Sequence, residues 1–489
     1  MSVRRALAFS VLERYLLIAI ALASSMAIAR LLSPAEIGLF SVSLALVGVA
    51  QVLRDFGVAS YLIQAPELRS EHLRTAYGVL LLVGGTTFAA LFLLAPWLAA
   101  FYDSPRMATV LRICALNFLA LPFCTVSLAV LRREMRFRPL ALVNVAAAAV
   151  GALASVGLAL AGVGVESLAM GAVLVNLVTA LGAWIARGRP RPLRPALSRW
   201  REVLGFGTQT SAAGVVTSIS MDINDIAVGK ILGFEPVALL SRAQGLMSMF
   251  HRDLMGAVRN VAFPAYAQAH REGRDLEPLY IASVANVTAL AWPFYGFVSL
   301  FALEVLRLLY GPQWDAAAPL VPLFCAAGAI AAVASLIANL VVAMGRIGLV
   351  TAFELVMQPL RAATIVAAAL WWGTATACAA ALAMALATHV PVLYALKQRC
   401  VPNHWRALGS GLARSAGVAV ATLAVPAAIA ASMGFGRAAP GPGLGLLAAA
   451  VCAAVSWPIA VALLRHPMAT EPAFVAIRDR VAAAWRCAP

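Results

Sequence analysis

The chain has 489 residues, of which 62% are hydrophobic and only 12% charged. A soluble globular domain carries about 25% charged residues, so this composition excludes one and points to an integral membrane protein. The net charge of +16 would suit a nucleic-acid partner, but the basic residues lie in short loops between apolar runs, where they set topology instead.

The basic Arg4-Arg5 start leads into an apolar span with no obvious small-residue cleavage site, so the first helix is expected to be retained. Segments long enough to cross a bilayer are expected at 10–31, 37–53, 76–101, 107–131, 140–161 and 164–186. Further spans are expected at 205–229, 237–258, 280–303, 317–343, 348–371, 374–396, 411–432 and 444–464. With both termini cytoplasmic, most of the 37 Lys and Arg fall inside. Attraction to anionic inner-leaflet lipids is a secondary effect of the same charge.

The first span holds Glu13, Arg14 and Tyr15 near one end and closes at Arg30, which can snorkel to the outer headgroups. Arg54-Asp55-Phe56-Gly57 reads as a helix end at the inner surface, and Tyr102-Asp103-Ser104-Pro105 as a turn. The most basic loops are Arg132 to Pro139 and Arg187 to Glu202, the second rich in Pro and Arg and suited to link two halves.

The stretch from Gly205 to Gln268 carries acids and a base within its spans. A Gly233-Phe234-Glu235-Pro236 turn is expected to join two antiparallel helices. Asp222 and Asp225, three apart, share a helix face. Asp225 and Arg242 each lie about 12 Å from the turn at 1.5 Å per residue. Charge at such depth is costly and faces a partner or a water-filled cavity. Two readings stand: an ion pair locking the helices together, or a cavity in which Arg242 binds a diphosphate while Asp222 or Asp225 holds a proton or sodium ion. Arginine suits phosphate because it binds bidentately, and a carboxylate taken out of water can exchange a proton near neutral pH.

Farther on, Tyr310 and Trp314 suit the membrane interface. Glu354 and Arg361, seven apart, share one face of their span, with Pro359 expected to kink the helix between them. They form an internal ion pair or line a cavity. Asn286 and Asn339 are expected to hydrogen-bond between helices. The segment from Arg465 to Arg486 suits a short amphipathic helix on the inner surface. The cysteines form no CxxC and read as small buried hydrophobes. There is no GxxxxGK[ST], HExxH or paired CxxC, so neither an enzyme nor a cofactor is expected.

Placing Ala29 to Pro34 against Gly229 to Phe234 gives a weak internal repeat at an offset near 200 residues. Arg54-Asp55 and Arg252-Asp253 then fall in nearly the same register. An even number of spans per repeat implies halves related by an axis along the membrane normal. The expected organisation is an N-terminal six-helix half (1–186), a basic linker (187–204), a C-terminal six-helix half (205–397) and two further helices with a tail (398–489). The whole is an all-α membrane protein of about 14 transmembrane helices.

The run from Asp225 to Leu246 followed by Phe263-Pro264 resembles the start of the second half of Wzx-type polysaccharide flippases, in the multidrug/oligosaccharidyl-lipid/polysaccharide exporter superfamily. Similar marks are Ala29 to Ser43, Arg54 to Gln64 and Leu308 to Phe324. The usual Gly-aromatic pair is replaced by Ala238-Leu239, while Ser241-Arg242-Ala243 is kept. The resemblance implies a flippase for polyprenyl-diphosphate-linked oligosaccharide in the bacterial inner membrane, working by alternating access in surface polysaccharide assembly. Its implied partners are that glycan lipid, membrane lipids, a polysaccharide polymerase and glycosyltransferases. Diphosphate-binding candidates are then Arg242, Arg361 and Arg30, and ion-coupling candidates Asp222, Asp225 and Glu354. A cation-coupled small-molecule exporter and a non-transporting scaffold for polysaccharide assembly are the alternatives.

Overall fold

A segment crossing lipid must satisfy its backbone hydrogen bonds internally, and in the computed structural model the described residues form helices and no strand. The structure describes residues 3–54, 58–64, 69–188, 194–198, 200–201, 222–251, 255–434, 442–471 and 474–475. Among them, 12 helical segments are long and apolar enough to cross a membrane. They stand at 12 of the expected positions. The other two expected spans, 205–229 and 237–258, run through residues 202–221 and 252–254, which lie outside the described set. So do Asp55, Arg252-Asp253, part of the basic linker and the tail beyond 475.

The chain divides into two units, Met1–Ala238 and Leu239–Pro489. The first contains α1 (Val3–Leu31), α2 (Pro34–Arg54), α3 (Val58–Gln64), α4 (Ser70–Phe101), α5 (Pro105–Ala115), α6 (Asn117–Arg133), α7 (Phe137–Leu160), α8 (Glu166–Ala186) and α9 (222–231). Helix α2 starts with a reciprocal cap. The Ser33 N–H and hydroxyl donate to the Glu36 carboxylate at 3.0 and 2.9 Å, and the Glu36 N–H donates to Ser33 Oγ at 3.3 Å. Pro34 in the first turn loses nothing, because its missing N–H would have had no helical partner.

The expected span at 107–131 is broken into α5 and α6 at Leu116. Asn117 makes the break tolerable: its Nδ2 donates to the Cys114 carbonyl at 3.0 Å and its Oδ1 accepts from Asn176 Nδ2 at 2.7 Å. Helices α7 and α8 meet along small residues. A Cβ on Gly171 would overlap the Ser155 hydroxyl, and one on Gly151 would overlap Val175. Such close approach supplies the van der Waals contact that holds helices together where lipid removes the hydrophobic drive.

Helix α10 (Phe234–Met249) crosses the division between units. The four-residue turn expected before it is shorter: Gly233 adopts φ 90°, and Phe234, Glu235 and Pro236 already form the first turn of α10. The same connector occurs about 200 residues earlier, where α1 ends at Leu31 and α2 begins at Pro34.

The second unit continues with α11 (Met255–Arg271), α12 (Leu276–Leu300), α13 (Ala302–Tyr310), a 3-10 helix (Pro312–Leu320), α14 (Val321–Ala334) and α15 (Ile337–Ala343). It ends with α16 (Ile347–Trp372), α17 (Ala375–Gln398), α18 (Trp405–Ser432), α19 (Pro442–Leu463) and a short 3-10 turn at Pro467–Thr470. Helix α12 is central, packing on α14 and α18, while α17 packs on α14 and α16. Its polar residues are used internally. The Tyr280 hydroxyl donates to Tyr394 Oη at 3.1 Å and the Tyr394 hydroxyl to the Val333 carbonyl at 3.0 Å. Asn286 Nδ2 donates to Glu471 Oε1 at 2.9 Å.

Thr288 donates to Ser415 Oγ at 2.8 Å, and Ser415 Oγ lies 3.1 Å from Nε2 of the buried His466, just past α19. Burial, aided by the Arg414 charge, holds the His466 imidazole down to about 4. In the unfolded chain it titrates near 6.5, so between those values the unfolded state binds the extra proton. His466 therefore contributes stability that is complete above about pH 6.5 and drains away as the pH falls toward 4. Melting temperatures recorded across that window should fall less steeply in His466→Gln than in the parent.

Candidate functional site

In the first unit, α9 is held against α2 and the end of α4. The Asp222 carboxylate lies where a Cβ on Gly48 would sit, and Gly229 abuts Val42. Tyr102 donates its hydroxyl to the Ile226 carbonyl at 2.8 Å. Lys230 Nζ donates to the Phe101 carbonyl at 2.5 Å and to Asp103 Oδ2 at 3.2 Å. These contacts fix the end of α9 and so the depth of its acids. Asp222 and Asp225 are both half-buried, one turn apart, and between them Asn224 carries a buried Oδ1 with no hydrogen-bond partner among the described residues. The two carboxylates share one face of α9, where a carboxylate taken out of water suits a proton or a small hard cation, while Asn224 lies on a different face of the same turn.

In the second unit, Arg242 lies over two aromatic faces, its guanidinium carbon 4.8 Å from the Tyr310 ring centre and 5.1 Å from that of Trp314. Gly311, at φ 97°, turns the chain between α13 and the 3-10 helix and brings these rings within 6.2 Å of one another. Arg307 braces the turn, donating from Nε and Nη2 to the two carboxylate oxygens of Asp315 at 2.8 and 2.5 Å. Both rings are packed inside the protein: Trp314 is 0% and Tyr310 5% exposed. They are the platform under Arg242. A cation above aromatic faces is stabilised by the ring quadrupoles, the more so when desolvated.

Helix α16 carries a polar stripe. Gln358 Nε2 donates to Glu354 Oε2 at 2.7 Å, so the first partner of the acid is an amide one turn on. Arg361 is half-buried on the same face and within electrostatic reach of Glu354. Gln358 Oε1 is buried with no partner among the described residues. Pro359 sits inside the helix, and its missing N–H leaves the Leu355 carbonyl outside the ladder. Arg30 is exposed in the last turn of α1. The candidates thus form three local groups: Asp222 with Asp225 on α9, Arg242 on its platform, and Glu354 with Arg361 on α16. Asp225 belongs to the first unit and Arg242 to the second.

Sequence reasoning missed the most deeply buried charge pair among the described residues. The Lys397 ammonium, 0% exposed, donates to the Glu277 carboxylate, to Asn403 Oδ1 at 2.9 Å and to the Pro402 carbonyl at 3.3 Å. Glu277 Oε1 accepts the His404 N–H at 3.1 Å. Both charges sit in terminal turns of their helices, where an ordinary headgroup contact would account for them. The available signal was an acid opening one span and a lysine closing another.

The sequence profile of the family described as "Polysaccharide biosynthesis protein" matches residues 27–319. The chain belongs to that family. The matched region takes in Arg30, both acids of α9, Arg242 and its aromatic platform, while the α16 stripe lies beyond it. Relatives include the lipopolysaccharide biosynthesis protein WzxC of Escherichia coli (strain K12), 24% identical over 69% of this chain and 69% of that one. Another is the succinoglycan biosynthesis transport protein ExoT of Rhizobium meliloti (strain 1021), 26% identical over 60% of each chain. Among solved structures, the lipid II flippase MurJ in an inward closed conformation superposes with a TM-score of 0.71 at 11% identity, covering 94% of this chain and 98% of that one. An inward-facing multidrug resistance transporter of the MATE family gives 0.60 at 14% identity, covering 80% and 95%. At such identities these two matches establish the fold alone: an all-α, multi-pass membrane architecture shared with both.

Proposed function

We propose that this protein is a flippase that carries a polyprenyl-diphosphate-linked oligosaccharide from the inner to the outer leaflet of a bacterial inner membrane, for assembly of a surface polysaccharide. The observation that carries the reading is the α16 stripe. A carboxylate, an amide with an unclaimed acceptor among the described residues, and a guanidinium follow one another along one face of an apolar span. Polar and charged groups in that position are costly unless water or a polar ligand meets them, and a sugar-diphosphate headgroup offers both hydroxyl donors and anionic acceptors. Family membership and the names of the relatives support the same substrate class.

In this reading Arg242 and Arg361 bind the diphosphate, and Arg30, exposed at the end of its helix, offers a peripheral contact. Asp222, Asp225 and Glu354 take the coupling ion. The chain acts as a carrier with no covalent step of its own. Both termini lie in the cytoplasm, the chain is organised as six-helix halves 1–186 and 205–397 working by alternating access, and 398–489 is an addition. A polymerase and glycosyltransferases work beside it. Purified protein in liposomes should move the headgroup of a lipid-diphosphate-linked oligosaccharide to the opposite leaflet, read by its accessibility to a membrane-impermeant glycosidase. Folded protein that leaves the headgroup where it started, yet drives a small cationic dye along an ion gradient, would assign the chain to drug export.

A further inference from the structure

Outside the candidate site, the first unit has a groove of about 1010 Å³ between α4, α6 and α8. Its walls are apolar, with Tyr77 and Phe123 in edge-to-face contact at 5.4 Å on one side and Leu177 and Leu181 on the other. At one end stand Trp184 and Arg187. From Val173 to Trp184 the groove follows α8 for about 16 Å at 1.5 Å per residue, close to half of a hydrocarbon core about 30 Å thick. Its length is thus that of one leaflet, and its charged end coincides with a helix terminus.

Arg187 caps the C-terminus of α8, its N–H bonded to the Ala183 carbonyl. Among the described residues no ion pair or hydrogen bond takes its half-buried guanidinium. Glu134, which ends α6, is the acid in electrostatic reach, and it is itself 3.6 Å from Arg136. Arg132 and Arg133 close α6 nearby in sequence, so the positive charge at this end exceeds the negative. A basic group at the mouth of an apolar groove between membrane helices matches an anionic lipid, with chains in the groove and phosphate at the mouth.

We propose that the α4–α6–α8 groove is a binding site for one anionic phospholipid of the bilayer, its acyl chains along Phe123 and Leu177 and its phosphate on Arg187. Trp184 supplies the aromatic contact at headgroup level. The site is separate from the residues assigned to the glycan lipid, so it stands whether or not the flippase reading does.

The test places the full-length protein in nanodiscs doped with phosphatidylglycerol or phosphatidylcholine carrying brominated acyl chains. Tryptophan quenching is read, and the share belonging to Trp184 is obtained from Trp184→Phe. Trp184 should associate with the phosphatidylglycerol about fivefold more strongly than with phosphatidylcholine, the weight of one basic residue at an anionic surface. That preference should vanish in Arg187→Gln and persist in Arg187→Lys, while quenching by the neutral lipid is unchanged in both. Equal quenching by the two lipids, or a preference that survives Arg187→Gln, overturns the proposal. So does relief of quenching by unlabelled polyprenyl phosphate at a mole fraction where unlabelled phosphatidylglycerol has no effect, since the occupant is then an isoprenoid.

Discussion

Lys397→Ala should lower the stability of the folded protein by about 3 to 5 kcal/mol, the cost of leaving one partner of a buried ion pair uncompensated. The ammonium has all three protons placed, on Glu277, Asn403 and Pro402, with the Tyr280 ring centre 4.8 Å away. Glu277 is 2% exposed and its other oxygen is occupied by the His404 N–H. Removing the lysine leaves a carboxylate that water cannot reach, and with it the contact joining the start of α12 to the end of α17 and the entry to α18. The pair itself is worth far less than this cost, because both ions were desolvated to make it. Glu277→Leu combined with Lys397→Met should therefore recover most of the lost stability. The measurement is a double-mutant cycle of unfolding midpoints in detergent. A single variant that melts with the parent, or a double variant worse than either single, would show that the interior at this point is wet.

The places where sequence reading succeeds and fails follow from what each feature depends on. The spans around α7 and α16 were legible because length and hydropathy are local properties, and each begins and ends within a few residues of its expected limits. The interruptions at Leu116 and at Ser335-Leu336 were not. They depend on where a freed carbonyl finds a donor, and the Asn176 amide that steadies Asn117 comes from another helix. Arg242 was legible as a costly charge in an apolar run, but its aromatic support was not. Tyr310 and Trp314 follow Arg242 by about 70 residues in the sequence, and only the turn at Gly311 brings both rings under it. Glu354 was paired with Arg361 by helical spacing alone, while the nearer Gln358 holds it at 2.7 Å. Glu277 and Lys397 lie 120 residues apart, so an acid opening one span and a lysine closing another give no sign that the two meet.

Arg361→Gln should leave the protein folded and slow headgroup translocation by about 10- to 100-fold, the loss of a hydrogen bond to a charged group at about 1.5 to 3 kcal/mol. Glutamine keeps the length and polarity of the side chain near Glu354 but gives up the charge and the fork of donors that matches a phosphate. Arg361→Lys should fall between, since it keeps the charge without the planar, bidentate geometry. The competing possibility is that Arg361 serves only to neutralise Glu354. In that case Arg361→Gln should reduce folded yield and melting temperature, and Glu354→Gln in the same chain should restore both, because the acid no longer needs a counter-charge. The two roles separate cleanly when yield, melting temperature and initial rate are measured on the same preparations in liposomes. A headgroup-binding arginine gives a well-folded, slow carrier that Glu354→Gln does not rescue, whereas a purely structural arginine gives a damaged carrier that it does. Arg242→Gln, judged by the same three measurements, should behave like Arg361→Gln with a larger drop in melting temperature, because it also gives up the contact with Tyr310 and Trp314.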